Sequence, residues 1–216
     1  HVEKYKEKPY DEVNHEQIAP PRLAPYLRVY SPLIFLDHFR EQEKQWESER
    51  LLISIDGTDC QITQKGAVTS GNAWASHTGL RYELGVDIID GILVWLEGPF
   101  PAGNFTDITI FRHTLIHHLD PLERVVADDG YVGEAPGKVK CTCTRIDSSY
   151  DRAMQSKVRS RHETLNGRFK FWEILKQPFR YEIFTQHGTV FPAIAVIIQV
   201  AIDEGAKLFS VEYNDV

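Results

Sequence analysis

The sequence predicts one mixed α/β domain, and three observations predict it. A short continuous apolar run stands at "LLISI" (51–55), as expected of a strand covered on both faces, and "ERVVADDGY" (123–131) reads as another buried strand ending in acidic residues and a glycine. Two more, "RYELGVDI" and "GILVWLEG", flank an "IDG" turn and read as a hairpin. From about Asp151 to Lys176 the period changes, with Met154, Val158, Leu165, Phe169 and Trp172 recurring at helical spacing before Pro178.

Each element follows from its local chemistry. Residues 1–50 read as an N-terminal tail and helix: a polar stretch with "APPRLAP", then Ser31 as N-cap, Pro32 in the first turn, and Leu33, Phe35, Leu36 and Phe39 as an apolar face. The domain proper is expected over 51–216. "FTDITIFRHTLIHHL" (105–119) reads as a helix with Thr106 at its cap, and Asn104 and Asp107 as further capping residues. "VFPAIAVIIQVAI" (190–202) holds a proline and a glutamine and is too short for a membrane span. It reads as a buried helix closed by Gly205.

Bulk properties narrow the function. A chain of 216 residues can bury one good core, and 42% hydrophobic with 25% charged residues is ordinary globular composition. A net charge of −7 excludes a chain-wide electrostatic footprint for nucleic acid, so any DNA contact needs a local basic patch. Three cysteines give no even disulfide framework, which points to a reducing, intracellular setting. The chain begins at His1 rather than methionine, so processing or a longer parent protein is expected.

Two aspartates set the chemistry. Asp56 in "ISIDGTDC" and Asp128 in "VVADDGY" each sit where an apolar strand meets a glycine turn. Ligands of open α/β sheets bind beyond the carboxyl ends of strands. Paired carboxylates repel unless a proton or a cation lies between them, and hard oxygen donors suit Mg²⁺ or Mn²⁺. Glu163 is the one acid between Arg152 and Lys170, among Lys157, Arg159, Arg161 and Arg168. That basic helix is a candidate phosphate surface, with Arg159, Arg161 and Lys170 as DNA contacts. The plainer reading is a solvated face with Arg159 and Glu163 paired at i, i+4.

Spacing and blocks add a resemblance. The chain places 34 residues between Asp128 and Glu163, as in the DDE transposases and retroviral-type integrases. "SIDGTDCQI", "NAWASHTGLRYELGVDIIDGILVWLEGPFPAGNFTDITIF", "VVADDGY", "RHETLNGRFKFWEIL" and the tail "FPAIAVIIQVAIDEGAKLFSVEY" more specifically resemble DDE superfamily endonucleases of the Harbinger type, over roughly residues 50–213. The resemblance implies a ribonuclease-H-like mixed sheet flanked by helices, with Asp56, Asp128 and Glu163 as catalytic and metal-binding triad. It implies two Mg²⁺ or Mn²⁺ ions about 3.5–4 Å apart, cleaving DNA phosphodiesters and joining strands. DNA is the implied partner, the nucleus the implied location, and paired sites on two DNA ends suggest a homodimer. Residues 1–50 are not a convincing helix-turn-helix, so a separate DNA-binding partner protein or a lost N-terminal module is expected to supply targeting.

The neighbours are assigned by the same pattern. Asp56 and Asp128 are preferred over Asp59 and Asp129, with Asp129 ordering the turn. His77 stands where the family often carries a basic residue, but reads as a loop histidine, with Thr78 where lysine is common. His113 and His117 with Cys141 and Cys143 make a weak zinc pattern. Phe169 and Trp172 read as core. A dehalogenase-type phosphatase would need D-x-D-G-T, but the nucleophile position is Ser54. The alternative is a domesticated, non-catalytic transposase domain that binds DNA or a protein.

Overall fold

The computed structural model describes residues 50–62, 79–88, 90–121, 123–141, 149–179, 184–209 and 211. The expected N-terminal tail and helix, His77, Thr78 and Cys143 lie outside the described residues. Five strands form one mixed sheet: β1 (Arg50–Gln61), β2 (Gly79–Asp87), β3 (Leu93–Pro101), β4 (Glu123–Ala127) and β5 (Val139–Cys141). Their order is β3-β2-β1-β4-β5. β1, β2 and β3 pair antiparallel, whereas β1, β4 and β5 pair parallel.

The expected hairpin is β2–β3, closed where Gly91 takes φ 74° and Asp87 N donates to Ile92 O. A positive φ suits glycine, which has no Cβ to clash. Strand β5 is absent from the sequence reading because three residues carry no readable period.

Helices cover both faces of the sheet. α1 (Asp107–His113) and a 3₁₀ turn (Leu115–His118) lie on one side. There Phe111 and Leu115 pack with Ile53, Ile55, Trp95, Val125 and Ala127. Thr106 takes the expected N-cap position, but its hydroxyl meets Thr109 Oγ1 at 2.8 Å instead of a backbone amide.

On the other face lie α2 (Ser149–Lys170), the short α3 (Glu173–Lys176) and α4 (Phe184–Asp203). Tyr82 and Leu84 of β2 meet Leu165 and Phe169 of α2 and Phe191, Ile194 and Ile198 of α4. Phe191 stacks between Tyr82 (centroids 3.8 Å apart) and Phe169 (4.6 Å). Each buried aromatic side chain contributes about 2–3 kcal/mol of transfer free energy.

Two expectations about these helices change. The long helix stops at Lys170 rather than Lys176, because the chain turns at Phe171–Trp172 to bring Leu175 and Phe179 into the same core. Phe179 N then donates to Gln61 O at the end of β1. Trp172, expected in the core, is 37% exposed at that turn, whereas Phe169 is fully buried.

Gly205 closes α4 as expected. It takes φ 105°, its amide donates to Ile202 O, and Ala206 N donates to Ala201 O, the two bonds of a Schellman motif. The Gln186–Asp203 stretch is long and apolar enough to cross a membrane by length and composition alone, although Phe191, Ile194, Ala195, Ile198 and Ile202 lie in the core.

Candidate functional site

The site is built around the middle of β1. Its parallel pairing with β4 runs from Arg50–Glu123 to Ser54–Val126 and ends there, while antiparallel pairing with β2 continues to Gln61–Gly79. Asp56 is therefore a strand residue opposite Leu84, not the opening residue of a turn. β2 supplies hydrogen-bond partners through the Asp-Gly-Thr segment, which keeps it extended. Asp56 and Asp128 each lie two residues past the last β1–β4 pair, so they leave the paired segment level with each other.

Asp128 caps the 3₁₀ turn Asp129–Glu134 that follows β4. Its Oδ1 accepts from Gly130 N at 2.8 Å. Asp128 itself thus helps to order the turn.

A fourth carboxylate joins them. Asp107 begins α1, and a Cβ built on Gly57 would stand 2.1 Å from Asp107 Oδ1. One built on Gly130 would stand 3.5 Å from Asp107 Oδ2 and 2.9 Å from Asp128 Oδ1. The Asp107 carboxylate thus fills the space over the glycines that follow Asp56 and Asp128. Sequence reading gave Asp107 only a capping role, because its distance from the other acids in the chain carries no signal.

Arg81 holds this corner. It pairs with both oxygens of Asp59, at 2.7 and 2.8 Å, and its Nη1 lies 3.3 Å from Asp107 Oδ1. Asp59 is thereby spent on Arg81, consistent with Asp56 as the site aspartate.

The electrostatics record the crowding. Burial, and next the charge of Asp128, push the Asp56 carboxyl up to about 6. Asp107 and Glu163 push the same way, while the Gly57 amide, 2.8 Å from Asp56 Oδ1, opposes them. Asp107 is also raised, first by burial and then by Asp128 and Asp59, against the pull of Arg81.

α2 is laid along β1 by three side chains. His162 Nε2 contacts Ser54 O at 2.7 Å, Asn166 Nδ2 donates to Asp56 Oδ2 at 3.4 Å, and Lys170 Nζ donates to Asp59 O. Glu163 follows the buried His162 by one residue, which turns it to the exposed side of the helix beside Asp56. Among the described residues, no group of three or more His, Cys, Asp or Glu side chains closes on a point that would hold a metal ion. Cys141, offered to the weak zinc pattern, is a buried core residue.

The expected DNA contacts divide. Arg159 is exposed. Arg161 is 1% exposed, and its Nη1 donates to the carbonyls of Asp87 (3.0 Å) and Ile88 (2.6 Å). It cannot present its guanidinium to a phosphate, because its place on the helix faces the β2–β3 turn. Lys170 is half-buried and already bonded to β1.

Comparison with family models, with curated proteins and with solved structures finds no match for this chain.

Proposed function

We propose that this chain is a divalent-metal-dependent DNA nuclease of the Harbinger transposase type, with Asp56, Asp128 and Glu163 as its catalytic carboxylates. One observation carries the reading. Asp56 and Asp128 stand level, each two residues past the last pair of the parallel strands β1 and β4, and Asn166 ties the helix bearing Glu163 to Asp56. The strand order β3-β2-β1-β4-β5, antiparallel on one side of β1 and parallel on the other, supports the ribonuclease-H-like reading.

The donor set suits Mg²⁺ or Mn²⁺, since it consists of hard carboxylate oxygens, with Asp56 held above its ordinary range first by burial and then by the charge of Asp128. When bound, such a cation supplies Lewis-acid stabilisation of charge on the phosphodiester oxygens. The protein's own residues orient. Asp56 is central, steadied by Gly57 N and Asn166, and Asp128 is fixed by its turn. Asp107, pinned by Arg81, fills the space over Gly57 and Gly130 and adds its charge to the acidic cluster.

Arg159 offers an exposed cation for the DNA backbone, and the net charge of −7 makes binding weak and steeply salt-dependent without a DNA-binding partner. The deciding experiment is nicking of supercoiled plasmid with Mg²⁺ or Mn²⁺. Asp56→Asn, Asp128→Asn and Glu163→Gln are each expected to abolish it while leaving the melting curve intact. Mg²⁺-dependent nicking by Asp128→Asn would overturn the assignment.

A further inference from the structure

Glu83 is a buried acid that the proposed chemistry does not use. It lies on β2 with 0% exposure, on the face opposite Tyr82 and Leu84. Trp95 Nε1 donates to its Oε2 at 3.0 Å, and the Tyr131 hydroxyl donates to its Oε1 at 3.4 Å. Thr114 Oγ1 lies 3.4 Å from Oε2 while donating to Ile110 O at 2.7 Å.

Two of these partners, Thr114 and Tyr131, and the strand partner of Glu83 each sit on a segment that carries one site carboxylate. Across the sheet, Glu83 is paired with Gly57, the residue after Asp56. Thr114 caps the C-terminal end of α1, whose first residue is Asp107. Tyr131 belongs to the turn that Asp128 caps, and its ring is buried edge-on to Phe111 of α1. Trp95 fixes the carboxyl from β3. One residue therefore links the strand of Asp56 through its backbone, and the helix of Asp107 and the turn of Asp128 through its side chain.

We infer that Glu83 is a positioning residue, setting the relative placement of Asp56, Asp107 and Asp128 through its contacts with Thr114 and Tyr131 and its strand pairing with Gly57. The inference rests on the nuclease reading for its consequence, but not for its geometry. A buried carboxyl with fixed partners is costly to leave half-satisfied, so removing it frees the Tyr131 hydroxyl and Trp95 N–H together.

The test compares Glu83→Gln, which keeps shape and acceptor, with Glu83→Leu, which keeps bulk and removes both oxygens. Amide hydrogen exchange on the metal-free full chain reads placement directly. Glu83→Leu is expected to speed exchange at Gly130 and Tyr131 by about tenfold or more while the amides of β1 and β2 stay protected. Titration with Mn²⁺ alone reads the consequence, with about 10–100-fold weaker affinity expected for Glu83→Leu and near-native affinity for Glu83→Gln. In plasmid nicking, kcat normalised to the folded fraction falls while KM for DNA holds, whereas general destabilisation lowers only the unnormalised kcat.

Native exchange and native Mn²⁺ affinity in a folded Glu83→Leu would overturn the inference, as would Glu83→Gln failing equally. Should Glu83→Leu not fold, Tyr131→Phe removes one of the bonds and is expected to loosen the Asp128 turn alone; native exchange there also overturns the inference. If the unaltered chain neither binds Mn²⁺ nor nicks DNA, the nuclease reading falls, and the exchange data still decide the role of Glu83.

Discussion

Asn166 donates its side-chain amide to Asp56 at 3.4 Å across 110 residues of chain, and this contact registers the long helix on the central strand. The fit is geometric. Four helical residues rise about 6 Å, close to the roughly 6.6 Å of the two strand residues from Ser54 to Asp56. The long side chain of Lys170 makes up the three-residue step to Asp59. His162, Asn166 and Lys170 can therefore meet Ser54, Asp56 and Asp59 in succession along one edge. Glu163 inherits its position from that ladder.

Asn166→Leu should therefore hurt function more than stability. The lost bond is long and half-exposed, so a cost of about 0.5–1 kcal/mol is expected in a denaturant melt. With its orienting donor gone, Asp56 is freed to turn, and metal-dependent nicking should fall about tenfold. Nicking at the unaltered rate in a folded Asn166→Leu would separate α2 from the chemistry.

The buried acids and histidines give stability a defined pH course. Burial holds Glu83 up at about 8, against an ordinary 4.5. The folded chain therefore keeps a proton that the unfolded chain has released, and this stabilisation, complete below about pH 4.5, is lost as pH rises through about 8. Asp56, at about 6, behaves likewise in a lower window. His162 and His187 run the other way: burial lowers each to about 4, so their contribution is complete above about 6.5 and lost as pH falls through about 4. Between about pH 6.5 and 8.5 Glu83 dominates. Stability of the metal-free chain should fall by about 2 kcal/mol there, or roughly 5 °C in Tm. Glu83→Gln should flatten the curve, and a wild-type Tm that rises across this window would contradict a buried, protonated Glu83.

Arg159 and Arg161 are two residues apart and should respond to different assays. Arg159→Ala removes an exposed cation, so it should weaken DNA binding at low salt and lower the salt slope by about one, with no change in Tm. Arg161→Ala strands the carbonyls of Asp87 and Ile88 in the interior and should cost about 2–4 kcal/mol of stability. A salt titration of DNA binding beside a thermal melt, for both variants, distinguishes them; equal effects on binding would return Arg161 to the surface.

These contrasts mark what the sequence made legible. Strand and helix identities came through where apolar runs were long, as in β1, β4 and α4, and so did the aspartates that follow β1 and β4's shared pairing. Glu83 and Asp107 did not. In "RYELGVDI" the alternation sends Tyr82, Leu84 and Val86 to one face, so Arg81, Glu83 and Asp87 would be taken for a solvated face. The structure instead closes Trp95, Thr114 and Tyr131 over Glu83 and folds the β2–β3 turn around Asp87, whose Oδ2 accepts from Asp90 N, leaving both at 0% exposure. Whether a polar face is wet depends on what the remaining chain lays over it, and period-two patterning carries no such information. Arg161 failed for the same reason: charge composition identifies a basic helix but not which of its cations is turned inward.

Gly57 offers the sharpest test of the fourth carboxylate. The glycine sits in extended backbone that alanine accepts readily, and in a strand that exchange would ordinarily gain about 0.5–1 kcal/mol. Here the new methyl would stand 2.1 Å from Asp107 Oδ1 and 3.1 Å from its Cγ, so the carboxylate must leave its place. The ion pair between Asp107 and Arg81, already 3.3 Å long, goes with it, while Arg81 keeps both bonds to Asp59. The fold should thus survive within about 1 kcal/mol of wild type. Mn²⁺ affinity and nicking should drop together, by about the same factor as in Asp107→Asn, and the double variant should be no worse than either single one. Additive losses would mean that Gly57 acts through something other than Asp107, and full activity in Gly57→Ala would remove Asp107 from the site.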